Sequence, residues 1–187
     1  MPHFLISGIP DQAADVAAAL AELDSTSVTV DDIADVPKAC AAAERGFDGY
    51  VQLPATFTVK GDTAVSRIQH FFAEGVLARF PALEAVLPTL GSGARITFVL
   101  GVLPPAVSTE DDVKARSALV RVLGHAARAD GPDDLRVSML GSAATAREIA
   151  LTALGRNPEL EELAEDAAGG SYADWRVELL GMMSAPM

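Results

Sequence analysis

The apolar positions of this chain alternate between two patterns. Short, nearly continuous runs, HFLISG at 3–8, FDGYVQL at 47–53, Arg95–Leu100 and Leu135–Leu140, predict strands buried on both faces. Ser27–Val30, rich in β-branched residues, and Trp175–Leu180 add two more. Between them apolar residues recur every three or four positions, the mark of amphipathic helices. One helix starts at Asp11 as its cap and turns Ala13, Val16, Leu20 and Leu23 inward. A second runs from Asp35 to Arg45 with Val36, Ala39, Cys40 and Ala43 on one face. A long third opens at Asp62 with Val65, Ile68, Phe72 and Val76 inward, is divided near Pro81, and resumes over 82–87. The turn Gly91-Ser92-Gly93 precedes the Arg95 strand. A helix from the Ser108–Asp112 start to Ala129 is expected to bury Ala115, Leu119, Val122 and Ala126. Thr145-Ala146-Arg147-Glu148 is a capping box for a helix to Leu154, and Asn157-Pro158 starts another through Ala167, broken by Gly169-Gly170.

Strands alternating with helices predict an α/β fold. We expect one domain over residues 1–187, with a mostly parallel sheet of about six strands and helices on both faces. Ligands in such folds bind beyond the carboxyl ends of the strands, which here means the loops after Ser7, Leu53, Val99 and Leu140.

Composition narrows the chemistry more than it identifies it. A net charge of −12 and a pI near 4.5 argue against nucleic acid, which needs a basic surface. Mean hydropathy is +0.26, yet every apolar run is interrupted well before the ~20 residues that span a bilayer. MPHFLISGIP lacks the basic n-region and long apolar run of a secretory signal, so the expected location is the cytoplasm. Cys40 is the single cysteine and lies on an apolar helix face. His3, His70 and His125 are far apart, so no metal centre is expected.

The loops carry modest signals. Gly8-Ile9-Pro10-Asp11 joins a strand to a helix, where a dinucleotide pyrophosphate or another anion would meet helix-end N–H groups. No further glycine follows before Gly46, so a plain strand–helix turn accounts for it better. Glu110, Asp111 and Asp112 suit the first turn of a helix or an acid–base role, and Ser108 a cap. Lys114, Arg121, His125 and Arg128 form a basic stripe that reads as a solvated or partner-facing surface.

These pieces, in this order, resemble the short-chain dehydrogenase/reductase family over most of residues 3–150. FLISG and the alanine-rich helix look like its opening strand and cofactor turn, and FDGYVQLP like its fourth strand and the Asn-Asn-Ala-Gly turn. AVLPTLGSGARITFVLG looks like the strand leading to the catalytic serine. VKARSALVRVLGHAARA is similar to the helix that bears the tyrosine and lysine, and LRVSMLGSAAT to the sixth strand. The resemblance implies a Rossmann-like three-layer fold and NAD(P) as the cofactor, with Gly8, Ile9, Asp11 and Gln52 as the candidate cofactor residues.

The family's functional residues are largely replaced. The serine's place falls on Gly101, the tyrosine's on Asp112 and the lysine's on Arg116. Residues 73–75 hold no asparagine, and Gln52-Leu53-Pro54-Ala55 stands for Asn-Asn-Ala-Gly. Asp112 and Arg116 are expected to form an i, i+4 ion pair in which neither group relays a proton at neutral pH. The segment before FDGYVQ has room for one strand and one helix where the family has two of each, so Val28–Asp32 is taken as the third strand with the second missing. The resemblance therefore implies a degenerate member that has lost standard catalysis and acts by binding a partner or small ligand. A homodimer, or a heteromer with an active homologue, would form through the helices at 112–129 and 145–154. The alternative is a divergent NAD(P)-dependent oxidoreductase with a rearranged site using Asp112, Arg116 or Ser108.

Overall fold

The computed structural model describes residues 1–55, 58–103 and 108–158. Its strands are β1 (His3–Ser7), β2 (Thr26–Val30), β3 (Phe47–Gln52), β4 (Leu90–Val99) and β5 (Arg136–Leu140). The helices are α1 (Pro10–Ala21), α2 (Val36–Ala42), α3 (Ala64–His70), α4 (Arg79–Val86), α5 (Glu110–Asp130) and α6 (Ala146–Ala153). All strand pairs are parallel and the order is β2-β1-β3-β4-β5. This is the expected Rossmann-like α/β architecture, with five strands among the described residues. The helix from Asn157-Pro158 to Ala167 and the strand Trp175–Leu180 lie, but for residues 157–158, outside them.

The apolar runs form strands because both faces of the sheet are covered. Along β1, Leu5 points to a layer made by α2, α4 and α5, together with Tyr50, Ile96, Phe98 and Val137. Phe4 and Ile6 point the other way, to α1 and α6, with Val51 and Val99. Consecutive residues therefore belong to different cores and all must be apolar. The edge strand β2 is the exception. It is mostly exposed and pairs only with β1, which explains its weaker sequence pattern.

Its place also corrects the assignment of the shortened region. In the doubly wound arrangement the strand beside the first is the second, and the third lies outside it. Because β2 pairs directly with β1, it sits in the second strand's seat, and among the described residues no strand lies outside it.

Several helix expectations shift. Asp11 lies in the first turn of α1 but does not cap it; Ile9 holds the cap position and Pro10 the first turn. Asp32, not Asp35, makes the capping bond, to Ala34 N–H at 2.9 Å, and opens a short 3-10 turn (Ile33–Asp35) ahead of α2. Thr63, not Asp62, caps α3. The long helix is interrupted by a π-helical segment, Phe71–Leu77, whose i→i+5 bonding rotates the inward face. Val65 is consequently 75% exposed and Ile68 borders solvent, whereas Phe71 and Val76 are buried. Division occurs at Ala78, and Pro81 lies in the first turn of α4, where its missing N–H costs nothing.

Gly91-Ser92-Gly93 is not a turn before the strand but an irregularity within β4. Phe47 pairs with Leu90 and Gly49 already with Arg95, and Gly93 takes φ +73° to absorb the extra residues. On α5 the inward residues are Val120, Leu123, Gly124 and Ala127, with Arg116 continuing the stripe one turn earlier. The anticipated Ala115, Leu119, Val122 and Ala126 face is one residue, or about 100°, out of phase.

The capping boxes at Thr109/Asp112 and Thr145/Glu148 form in full. Thr145 Oγ1 accepts from Glu148 N–H at 3.2 Å while Glu148 Oε2 accepts from Thr145 N–H at 2.7 Å. Thr145→Ala is expected to lower unfolding stability by about 1 kcal/mol, read as a lower urea midpoint at unchanged slope.

Candidate functional site

From β1 the chain winds outward to β2, returns to β3 and then continues through β4 to β5. The switch point therefore lies between the carboxyl ends of β1 and β3. A larger open groove of about 500 Å³, bordered by His3, Val28 and Phe47, lies at the opposite end of the strands, away from the loops that bind ligands in this architecture.

At the switch point the backbone is closed on itself. Ile9 N–H donates to Pro54 O at 2.9 Å, Gly8 N–H to Val30 O at 3.1 Å and Leu53 N–H to Ser7 O at 2.8 Å. Gly8 has φ +133°, and a Cβ there would lie 2.7 Å from both Leu53 Cβ and Pro54 O. A dinucleotide site presents helix-end N–H groups to pyrophosphate. Here the Ile9 N–H is spent on Pro54, Pro10 has none, and Asp11 adds a negative charge to the first turn. Gly8, Ile9 and Asp11 are thus together at the crevice, but their geometry is that of a closed turn.

Gln52, the fourth candidate cofactor residue, is fully buried and structurally engaged. Its Oε1 accepts from Arg79 Nη1 at 3.0 Å and its Nε2 donates to Tyr50 Oη at 3.1 Å. Arginine can only donate, so this contact fixes the amide's orientation. Tyr50 Oη also shares a 2.7 Å bond with Ser7 Oγ. Tyr50 packs in the core and also has a polar role the sequence does not display. Burial pushes its phenol up to about 12, against the opposing hydrogen bonds from Ser7 and Gln52.

Beyond this network is a cavity of about 100 Å³ at the ends of β3 and β4. Pro54, Val76, Gly101 and Val120 line it, together with Arg79 from α4 and Arg116 from α5. Arg116 Nη1 donates to Gly101 O, and Arg116 Nε is buried with no hydrogen-bond partner. Burial lowers the pKa of both arginines; for Arg79, Tyr50 opposes the shift and the Arg116 charge adds to it. Glu74, where the family's asparagine would fall, stands exposed at the rim, and among the described residues neither guanidinium has a carboxylate partner.

The structure thus brings Gly101 and Arg116 together but separates Asp112 from them. Asp112 Oδ2 accepts from Thr109 N–H at 3.2 Å and from Thr109 Oγ1 at 2.6 Å. The expected Asp112–Arg116 ion pair does not form. The i, i+4 pair on this helix is Glu110–Lys114 at 2.7 Å, exposed on both sides. The described residues contain no cluster of His, Cys, Asp and Glu able to hold a metal ion, and no helix long and apolar enough to cross a membrane. Cys40 packs against the core, and its burial raises the thiol pKa. Burial lowers the His125 pKa, with the Arg128 and Arg121 charges adding to it.

No family model and no curated protein matches this sequence. Solved structures do match. BdcA (YjgI) from E. coli aligns at TM-score 0.55 and 18% identity, over 84% of this chain and 90% of that one. A small-chain dehydrogenase aligns at TM-score 0.59 and 17% identity, over 83% and 88%. BdcA in complex with NADPH aligns at TM-score 0.56 and 14% identity, over 84% and 88%. The chain shares its fold with these structures, a small-chain dehydrogenase among them. At these identities the likeness concerns the fold.

Arg79 and Ser7 had no sequence signal. Arg79 precedes a Phe-Pro pair in an alanine-rich helix, and only the packing of α4 against β3 reveals its acceptor.

Tyr50→Phe is expected to cost about 1–3 kcal/mol, because Ser7 Oγ and Gln52 Nε2 lose a buried partner. In the wild type the folded state holds the phenol proton to about 12, whereas an unfolded chain releases it near ~10. Tyr50's contribution is therefore complete below pH ~10 and disappears as pH rises through the folded value. The difference in absorbance at 295 nm between wild type and Tyr50→Phe should titrate near 12; a midpoint near ~10 would mean a solvated phenol.

Proposed function

We propose that this chain is a cytoplasmic short-chain-dehydrogenase-like protein without standard dehydrogenase catalysis, and that it acts by binding a small ligand or a partner. The observation that carries this reading is the state of Asp112. In the tyrosine's place stands a carboxylate consumed by the Thr109 capping box, aligned for neither proton relay nor ion pairing. Arg116, in the lysine's place, is bonded to a backbone carbonyl, and a guanidinium does not relay protons.

The serine's place supports the same reading. A Cβ at Gly101 would lie 2.8 Å from Pro54 Cβ, so a serine there requires the proline ring to move. With Ile9 N–H bonded to Pro54 O and Pro10 opening α1, both the catalytic and the cofactor sides of the crevice are altered.

A second reading, a divergent NAD(P)-dependent oxidoreductase with a rearranged site, is favoured by one specific finding: a structural neighbour is a complex with NADPH. Titration with NADH and NADPH, followed by nicotinamide fluorescence and calorimetry, separates the two. We expect no response to either; micromolar binding would sink the first reading in its strong form. The combined variant Gly101→Ser, Asp112→Tyr, Arg116→Lys should likewise gain no reductase activity, since Pro54 and Pro10 remain.

The proposal includes a homodimer, or a heteromer with an active homologue, through the helices at 112–129 and 145–154. Val113, 41% exposed on the outer face of α5, is available for such a contact. On α6, Ile149, Ala150 and Ala153 are already buried in the protomer, which leaves its outer residues. Light scattering of the purified chain should give twice the monomer mass, or a monomer that shifts on adding an active homologue; a monomer in both cases would remove this part.

A further inference from the structure

We propose that the Arg79–Arg116 cavity binds the carboxylate of a small organic acid. This rests on the reading above, in which the crevice holds a ligand and not a hydride-transfer site. Two guanidinium groups converge there, close enough for the charge on Arg116 to depress the pKa of Arg79, and neither is ion-paired among the described residues. Partly buried charges of like sign are costly unless something neutralises them. Each arginine spends one N–H in a protein hydrogen bond, to Gln52 Oε1 and to Gly101 O respectively. Among the described residues the remaining donors meet no protein acceptor, and Arg116 Nε is buried without a hydrogen-bond partner. An oxoanion held by two guanidinium forks satisfies both the charge and these donors.

Size and lining select the class of anion. The cavity measures about 100 Å³. That is a size for a carboxylate with a short alkyl tail and is far smaller than a dinucleotide. Val76, Val120 and Pro54 add apolar lining beside the arginines, which suits a hydrocarbon tail better than the fully polar surface of inorganic phosphate. Gln52 positions Arg79 from below, itself oriented by Tyr50 and Ser7. Arg116 continues the inward stripe of α5, so its head is carried over the end of the sheet.

The test is calorimetric titration of the full chain with propionate at constant ionic strength, with parallel titrations of phosphate and NADPH. Propionate should bind at one site per chain. Arg116→Lys, which keeps the charge but loses the fork, should weaken it about tenfold, as should Arg79→Gln. Lys114→Gln, on the exposed side of α5, should leave it unchanged. Transferred magnetisation from the propionate methyl to the methyls of Val76 and Val120 locates the site without any variant, should the arginine variants fail to fold. No propionate heat and no such transfer would overturn the proposal, as would a response to phosphate alone. NADPH that displaces propionate and is weakened by the same substitutions would overturn both this inference and the loss of catalysis. NADPH that binds independently of propionate and of these arginines would sink only the latter.

Discussion

Pro54 is the residue on which the crevice depends. Its carbonyl takes the Ile9 N–H, and its ring lies where any side chain at position 101 would have to go. The closed turn at Gly8, the required glycine at 101 and the small cavity beside Arg79 and Arg116 all follow from that placement. A single rigid residue after β3 thus links features that lie far apart in sequence. It also makes the altered positions interdependent: restoring a hydroxyl at 101 alone meets the ring, and a backbone shift that moves the ring away also moves the carbonyl that accepts from Ile9.

The polar chain beneath the cavity has a different logic. Ser7, Tyr50 and Gln52 sit on one face of the sheet near its carboxyl end, where neighbouring positions are filled by Phe98 and Leu100. Buried polar groups are tolerable when each has a partner, and here the partners pass from strand to strand until Arg79 takes the last acceptor. The network ties α4 to the sheet and sets where the guanidinium sits. A phenol in this setting stays protonated across the physiological range, because burial disfavours its anion.

Much of the fold was legible because strands buried on both sides leave continuous apolar runs, and because capping boxes are local. Thr145-x-x-Glu148 needs no tertiary information. What failed depended on tertiary context. On α5 the spacing of Ala115, Leu119, Val122 and Ala126 is as regular as that of the buried face, which carries the stem of Arg116 in line with Val120 and Leu123. The π-helical segment rotated Val65 and Ile68 into solvent without any proline or glycine pattern that requires it. Gly91 to Gly93 looked like a turn because glycine marks turns and strand irregularities alike. At the site, the family positions brought Gly101 and Arg116 into view, but Arg79 and the closing role of Pro54 emerge only when β3, β4 and α4 are packed together.

The hydrogen bonds from Ile9 to Pro54 and from Gly8 to Val30 also carry a kinetic meaning. They tie the β1 turn to the strands on either side of it, so the turn cannot widen without detaching from one neighbour or the other. Any occupant that needs more room at the switch point must wait for a local opening, and its association would be limited by how often that opening occurs. A ligand confined to the neighbouring cavity does not require this turn to open.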